Sequence, residues 1–359
     1  MTSDTALLFE LLKSFVGTRD SLPEIASPVV WDGIFELASK QALVGVVFSV
    51  LERYPRTLYP EKKKLLGWWW AGAEQIKVRN EAMDATIPGI VRSFEERGFP
   101  ATLLKGQGVA RYYPHPEVRS PGDIDLWLSG DRRALTDMIR SRNPRGGICY
   151  HHGDYGLVGE FEVEVHFTPS WLYDPFLNRR LQTFFKEEAR FATVEIGGAD
   201  VSIPGKVFNG VYLLVHIYRH LFTEGIGLRQ LLDYCMFLRS GLDAGERERV
   251  LWWLKRLHMI PFAKAVMYIM QQAFGLRPDD CLLEADDRRG RFLLDEVMLA
   301  GNFGQFDPRR SSVPHGRIGR VLWRICRNLS FFGQYPSEAF WSPFWKFWHY
   351  CWRRRNHYL

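Results

Sequence analysis

The chain is poor in cysteine. Its 359 residues include five, Cys149, Cys235, Cys281, Cys326 and Cys351, and no Cys-x-x-Cys pair. An odd, scattered set argues for a reducing, cytoplasmic setting and against a disulfide framework or a cysteine-based zinc site. Long apolar runs are missing too. The longest clean run, Ala42 to Leu51, has ten residues, too few to span a bilayer. The first twenty residues lack a basic segment and carry Asp4 and Glu10, which makes a poor secretion signal. No internal repeat is visible. What is present is 46% hydrophobic, 14% aromatic and 25% charged. That is a globular composition, with length for two or three structural units.

Acid is scarce in one stretch only. Residues 309–359 hold ten Lys/Arg and a single acid, Glu338, although the whole chain is only +6. The rest carries 37 bases and 40 acids. A partner that prefers positive charge is therefore expected at the C-terminal end.

The hydrophobic period divides the chain into three parts. Residues 1–97 read as helical: Leu7, Leu8, Leu11, Leu12 and Phe15 share a face, Ser27-Pro28 interrupts, and 61–97 forms one long helix or two abutting ones. Trp68-Trp69-Trp70 points in three directions on such a helix. This predicts burial between two layers, with a ligand-stacking platform as the alternative. Residues 98–205 read as a small α/β core, with a strand at 99–104, a helix at 109–113 and a strand at 123–128. A helix at 132–142, a hairpin of 148–158 and 160–167, and another near 194–203 complete it. Residues 206–359 read as helices at 207–222, 228–239, 250–274 and 289–299, then an aromatic, basic tail at 318–355. The expected fold class is α+β: a small mixed sheet flanked by N-terminal and C-terminal helical domains.

The chemistry concentrates between Leu103 and Leu128. A strand runs into Lys105-Gly106-Gln107-Gly108 and a helix start, where free N–H groups favour anions such as phosphate. Downstream, Asp123 and Asp125 lie two apart on a strand, so both carboxylates share one face. Two aligned carboxylates suit Mg²⁺, which shares itself readily with phosphates; Mn²⁺ is the alternative ion. A third carboxylate from the strand carrying Glu160, Glu162 and Glu164 would complete a two-metal site that stabilises a phosphoryl group in transit. The bland alternative for each piece is a solvated sheet face or a plain turn. The two basic neighbours, Lys105 and Arg119, read either as triphosphate contacts or as structural ion pairs. Arg229, Gln230 and Asp233 open a later helix and either close over a nucleotide or form an Arg229–Asp233 pair along the helix face. His216 and His220 have i, i+4 metal-ligand spacing, but without an HExxH motif they read as helix residues. His166 shares the acidic face with Glu164, while His151 and His152 read as strand residues.

Leu104-Lys105-Gly106, Tyr112-Tyr113-Pro114, Arg119, Gly122-Asp123-Ile124-Asp125-Leu126 and Val163-Glu164-Val165-His166 together resemble the nucleotidyltransferase superfamily with a polymerase-β-like core. The later His216, His220, Gly227-Leu228-Arg229 and Asp233 add to the resemblance, which is greatest to the bacterial branch of uncharacterised nucleotidyltransferases. It implies Asp123, Asp125 and Glu164 as catalytic metal ligands. It implies nucleotide contacts at Lys105, Gly106, Gln107, Arg119, Gly122, His166 and Arg229. Two residues depart from the superfamily pattern: Gln107 stands where a serine is usual, and Glu164 where an aspartate is more common. The expected reaction moves an NMP group from an NTP to an unidentified acceptor and releases pyrophosphate. The alternatives are an inactive nucleotide-binding protein on the same fold and a membrane-associated component of surface-polysaccharide assembly. In the tail, Trp341, Phe344, Trp345, Phe347, Trp348, Tyr350 and Trp352 occupy nearly all faces and end in Arg353-Arg354-Arg355. This predicts a helix docked on the protein body. Membrane-surface contact comes second and nucleic acid is the least favoured partner.

Overall fold

The computed structural model describes residues 2–25, 30–313 and 316–358, so Ser27-Pro28 lies outside the described residues. Three helices open the chain: α1 (Ser3–Val16), α2 (Val30–Lys40) and α3 (Val44–Leu51). Thr2 caps α1, its hydroxyl accepting from the Thr5 N–H, and Gly17 closes it in a left-handed turn at φ +76°. α4 (Lys63–Glu95) is one unbroken helix of 33 residues with Pro88 inside it. Of its three tryptophans only Trp69 is buried, with its indole N–H donating to the Val44 carbonyl at 3.1 Å. Trp68 and Trp70 are 57% and 56% exposed, so the expected two-layer burial does not occur. One side of α4 faces the body and the other faces solvent.

The α/β part follows: β1 (Ala101–Leu104), α5 (Gly106–Ala110), β2 (Ile124–Leu128), α6 (Arg132–Arg142), β3 (His152–Val158), β4 (Phe161–His166), α7 (Pro175–Glu187), β5 (Phe191–Ile196) and β6 (Ala199–Pro204). α5 begins three residues before the predicted helix and is a single short turn. Four strands form a mixed sheet in the order β1-β2-β4-β3. β1 and β3 run antiparallel to their neighbours, and β2 and β4 run parallel. β5 and β6 form a separate ribbon packed beside β1 and α4.

Period-two alternation decides the two faces. Ile124, Leu126, Leu128, Phe161, Val163 and Val165 pack with Met83, Ile87, Ile90 and Phe94 of α4 into one core. Asp123, Asp125, Glu164 and His166 are left on the opposite face.

The C-terminal helices are α8 (Lys206–Thr223), α9 (Leu228–Arg239), α10 (Ala244–Arg256), α11 (Ile260–Phe274), α12 (Asp287–Ala300), α13 (Arg317–Leu329) and α14 (Pro336–Arg355). The helix predicted over 250–274 is broken between α10 and α11, where His258 takes a left-handed φ of +55°. The aromatic, basic tail holds two helices, α13 and α14. Helices α8–α12 and α14 share a larger core with α1–α3 and the first half of α4. α14 docks through one side only. Ala339 and Ser342 are buried and Trp345 stacks on Trp171 at 5.5 Å, while Phe340, Phe344 and Phe347 are exposed. No described helix is long and apolar enough to cross a membrane.

Candidate functional site

Strand register builds the site. The parallel pairing of β2 with β4 sets Asp125 directly beside Glu164, and Asp123 lies on the same face just before β2. One oxygen from each of the three carboxylates lies within 4.8 Å of the other two. Glu160 and Glu162, the other acids of that strand region, line the rim of the same cleft and are exposed.

Asp125 is the most enclosed of the three, at 1% exposure. Its Oδ1 meets His166 Nε2 at 2.8 Å and its Oδ2 meets Lys105 Nζ at 2.9 Å. Burial and the nearby Asp123 charge push the Asp125 carboxyl up, against the pull of Lys105 and His166. Burial also works against charge on Lys105, but Asp125 and Asp123 outweigh it and hold the ammonium well above its usual range. Glu164 is held low. Burial opposes its charge, but His152 Nδ1 at 3.0 Å and His166 Nε2 at 3.5 Å prevail. His152 is correspondingly raised to about 10: burial is overcome by hydrogen bonding to Cys149 and Glu164. His166 is raised by Asp125 and Glu164, again against burial. Lys105, His152 and His166 thus gather around Asp125 and Glu164, with Asp123 beside them.

The other expected nucleotide contacts scatter. Lys105, Gly122, Asp123, Glu164 and His166 line one cleft of about 790 Å³, closed on its far side by Arg219, His216 and His220 of α8. Gly106 and Arg229 lie in a small adjoining pocket with Lys105 and Asp123. Gly106 takes φ +48°, which lets the chain turn from Lys105 into α5 beside the Asp123 carbonyl. Gln107 does not reach the cleft; it is buried and donates to Asp84 Oδ1 of α4 at 2.6 Å. Arg119 is 4% exposed and grips Asp233 of α9 through two bonds, Nε–Oδ1 at 2.7 Å and Nη2–Oδ2 at 2.8 Å. The Tyr113 hydroxyl donates to the same carboxylate at 2.7 Å. The Arg229–Asp233 pair considered from sequence is therefore not formed. Arg229 instead donates to the Ser120 carbonyl at 2.9 Å and sits over the Phe303 ring. His216 and His220 meet edge to face, ring centroids 4.3 Å apart, and among the described residues no third ligand joins them. Burial lowers His216.

A family model described as "Uncharacterised nucleotidyltransferase" matches residues 27–275 of this chain, more than half of its length. The chain belongs to this nucleotidyltransferase family. Nucleotidyl transfer is thus the general chemistry of the fold, with a nucleotide as the implied substrate. Among curated proteins none matches. Among solved structures, an antigenic nucleotidyltransferase-like protein from Paracoccidioides brasiliensis is similar at 13% identity. The match covers 54% of this chain and 93% of that one, with a TM-score of 0.32, so the family assignment rests on the sequence match.

Two residues at the site of this nucleotidyltransferase were not singled out from sequence. His152 contacts Glu164 because a β-bulge between Asp154 and Gly156 shifts the β3–β4 register by one. A regular hairpin would set His152 opposite Phe167, on the core face; the shift brings it opposite His166 instead. Only the Gly156 position, at φ +93°, hinted at such a break. Arg219 lines the cleft from α8, bonded to Glu338 at 3.2 Å and stacked over Tyr173 and Trp171. Its buried Nε and Nη2 have no hydrogen-bond partner among the described residues. Nothing in its local sequence pattern separates it from a surface arginine.

Proposed function

We propose that the protein transfers a nucleoside monophosphate from an NTP to an acceptor hydroxyl or phosphate, with a divalent ion, Mg²⁺ by preference, held by Asp123, Asp125 and Glu164. The observation that carries this reading is the convergence of those three carboxylates on one face of the sheet, where Asp123 and Glu164 line a cleft large enough for a nucleotide and Asp125 lies in the small pocket adjoining it. The donor set fits: three carboxylates are hard oxygen ligands, and each keeps lone pairs beyond those that its present partners use. When bound, such an ion offsets charge on the phosphoryl oxygens.

In this reading the bond from the α-phosphorus to the acceptor oxygen forms as the bond to the pyrophosphate oxygen breaks. The acceptor proton passes to a carboxylate at the site, and pyrophosphate leaves. His166 orients Asp125 through Nε2, and Lys105 supplies fixed positive charge at the cleft floor. Arg119 acts at one remove, as a positioning residue. Through Asp233 it ties the loop that leads into Asp123 to the C-terminal helices.

A second reading, an inactive nucleotide-binding protein, is favoured by one observation: Lys105 and His166 already engage Asp125, and His152 engages Glu164. The two readings separate in a transfer assay with α-labelled NTPs and fractionated small-molecule extract. The transferase reading expects Mg²⁺-dependent label transfer and pyrophosphate release, both lost in Asp125→Asn. An absence of transfer across all four NTPs and all fractions, with nucleotide binding intact, favours the inactive protein.

A further inference from the structure

A second cavity, of about 720 Å³, adjoins the cleft across His151, Trp171, Thr223 and Glu224. Its walls come from α13, α14 and the segment after β4. Trp171, Tyr173, Trp345 and Tyr350 line it, with Arg324 and Lys346 among them. Trp345 stacks on Trp171 at 5.5 Å and leans on Tyr173 at 5.4 Å, so these walls are fixed. The indole N–H of Trp171 is buried and has no partner among the described residues.

The cations in these walls are not matched by acid. Lys346 lies 5.7 Å over the Tyr173 ring and forms no ion pair among the described residues. Burial first, and then the neighbouring Arg219, Arg324 and Arg327, bring its pKa down to about 7. A smaller pocket beside it, sharing Arg324, Thr223 and Glu224, adds Arg310, Arg320 and Arg327. Among the described residues Glu224 is the one acid lining either space, and it faces His220 at 3.4 Å. A neutral apolar guest would leave these charges uncompensated. A bare anion would leave the aromatic walls empty.

We infer that this cavity is the acceptor subsite and that it takes an anionic amphiphile, a molecule with an apolar body and an acidic group. The apolar body packs on Trp171, Trp345 and Tyr350, the acidic group sits at Arg324 and Lys346, and the end to be modified projects across His151 towards Glu164. The inference rests on the nucleotidyl-transfer reading above. The same chemistry is offered by a soluble metabolite and by a single-chain or bilayer lipid. The exposed Phe340 and Phe344 on the outer side of α14 stand where a bilayer source would approach.

Three soluble probes test the subsite on the full chain by calorimetry and tryptophan fluorescence: octyl phosphate below its micelle concentration, octyl glucoside and inorganic phosphate. Octyl phosphate is expected to bind at least ten-fold more tightly than either of the others. Arg324→Gln combined with Lys346→Gln should erase that preference. On the unmodified chain, octyl phosphate should protect Lys346 from reductive methylation, a readout that does not depend on the variant folding. Equal binding of octyl phosphate and octyl glucoside, or no protection of Lys346, overturns the inference. Flotation with phosphatidylglycerol vesicles distinguishes the sources. Flotation together with octyl phosphate binding supports a lipid acceptor, and octyl phosphate binding without flotation supports a soluble one. Flotation without octyl phosphate binding overturns the cavity in favour of surface adsorption. Mg²⁺-dependent ATP binding is measured on the same samples. If octyl phosphate binds and ATP does not, the nucleotidyl-transfer reading fails and the acceptor role with it. If ATP binds and octyl phosphate does not, the subsite alone fails.

Discussion

Replacing Arg119 by Met distinguishes an internal lock from a phosphate contact. Arg119 and Asp233 are both nearly inaccessible, joined by two short bonds, and Tyr113 adds a third to the same carboxylate. Burial works against charge on Arg119, but Asp233 outweighs it and raises the guanidinium further. Removing one partner of such a pair strands the other charge and costs about 3–5 kcal/mol. Unfolding entropy of about 2.1 cal/mol/K per residue, scaled to this chain, gives roughly 0.75 kcal/mol/K. The expected loss in Tm is therefore about 4–7 °C. Asp233→Leu should lose at least as much, because it strands both the guanidinium and the phenol. The triple variant Tyr113→Phe, Arg119→Met, Asp233→Leu leaves no unpaired group and should recover most of the loss. Differential scanning calorimetry reads all three. An Arg119→Met protein that melts like the parent but loses nucleotide binding would refute the lock and return Arg119 to the phosphates.

The remaining predictions concern the metal site, α4 and the tail. Asp125→Asn should lower stability by about 1–3 kcal/mol, since Lys105 loses its charged partner while the amide oxygen keeps a contact and repulsion from Asp123 is relieved; a gain in Tm would show that carboxylate crowding dominates. Trp69→Ala should cost about 3–5 kcal/mol, whereas Trp68→Ala should stay within about 0.5 kcal/mol; urea denaturation giving equal losses would contradict the one-sided packing of α4. Deleting residues 336–359 removes Glu338, which pairs with Arg219 and accepts from the Tyr173 and Asp174 N–H groups. That protein should be insoluble or melt much earlier, while deletion of 347–359 alone should be mild; comparable behaviour of the two truncations would place the anchor nearer the C-terminus.

Alternation made the sheet faces readable. Ile124, Leu126 and Leu128 against Asp123 and Asp125, and Val163 and Val165 against Glu164 and His166, need only a period of two. The mixed sheet and its flanking helices follow from the same pattern. Pairing was harder. That β2 runs parallel to β4, and so brings Asp125 beside Glu164, depends on contacts between segments some forty positions apart, which no local period encodes. The bulge that turns His152 towards Glu164 was hidden for a similar reason. The lengths of the two hairpin strands leave the register free by one, and one residue changes the face. Arg119 and Lys105 were legible as cations near the motif but not as partners of Asp233 and Asp125. An ion pair across 114 positions is a product of the fold. The tail misled in a different way. Its aromatics occur on all sides of α14, but a helix docked on one side can carry aromatics outward where a second apolar surface or ligand meets them.

The most direct test of the carboxylate site is calorimetric titration of ATP into the full chain with Mg²⁺, and again with EDTA, repeated for Asp123→Asn and Glu164→Gln. Binding should be at least ten-fold tighter with Mg²⁺, and each variant should lose that difference. ATP binding of equal strength with and without metal, or a metal dependence unchanged in both variants, would contradict a divalent-ion site formed by Asp123, Asp125 and Glu164.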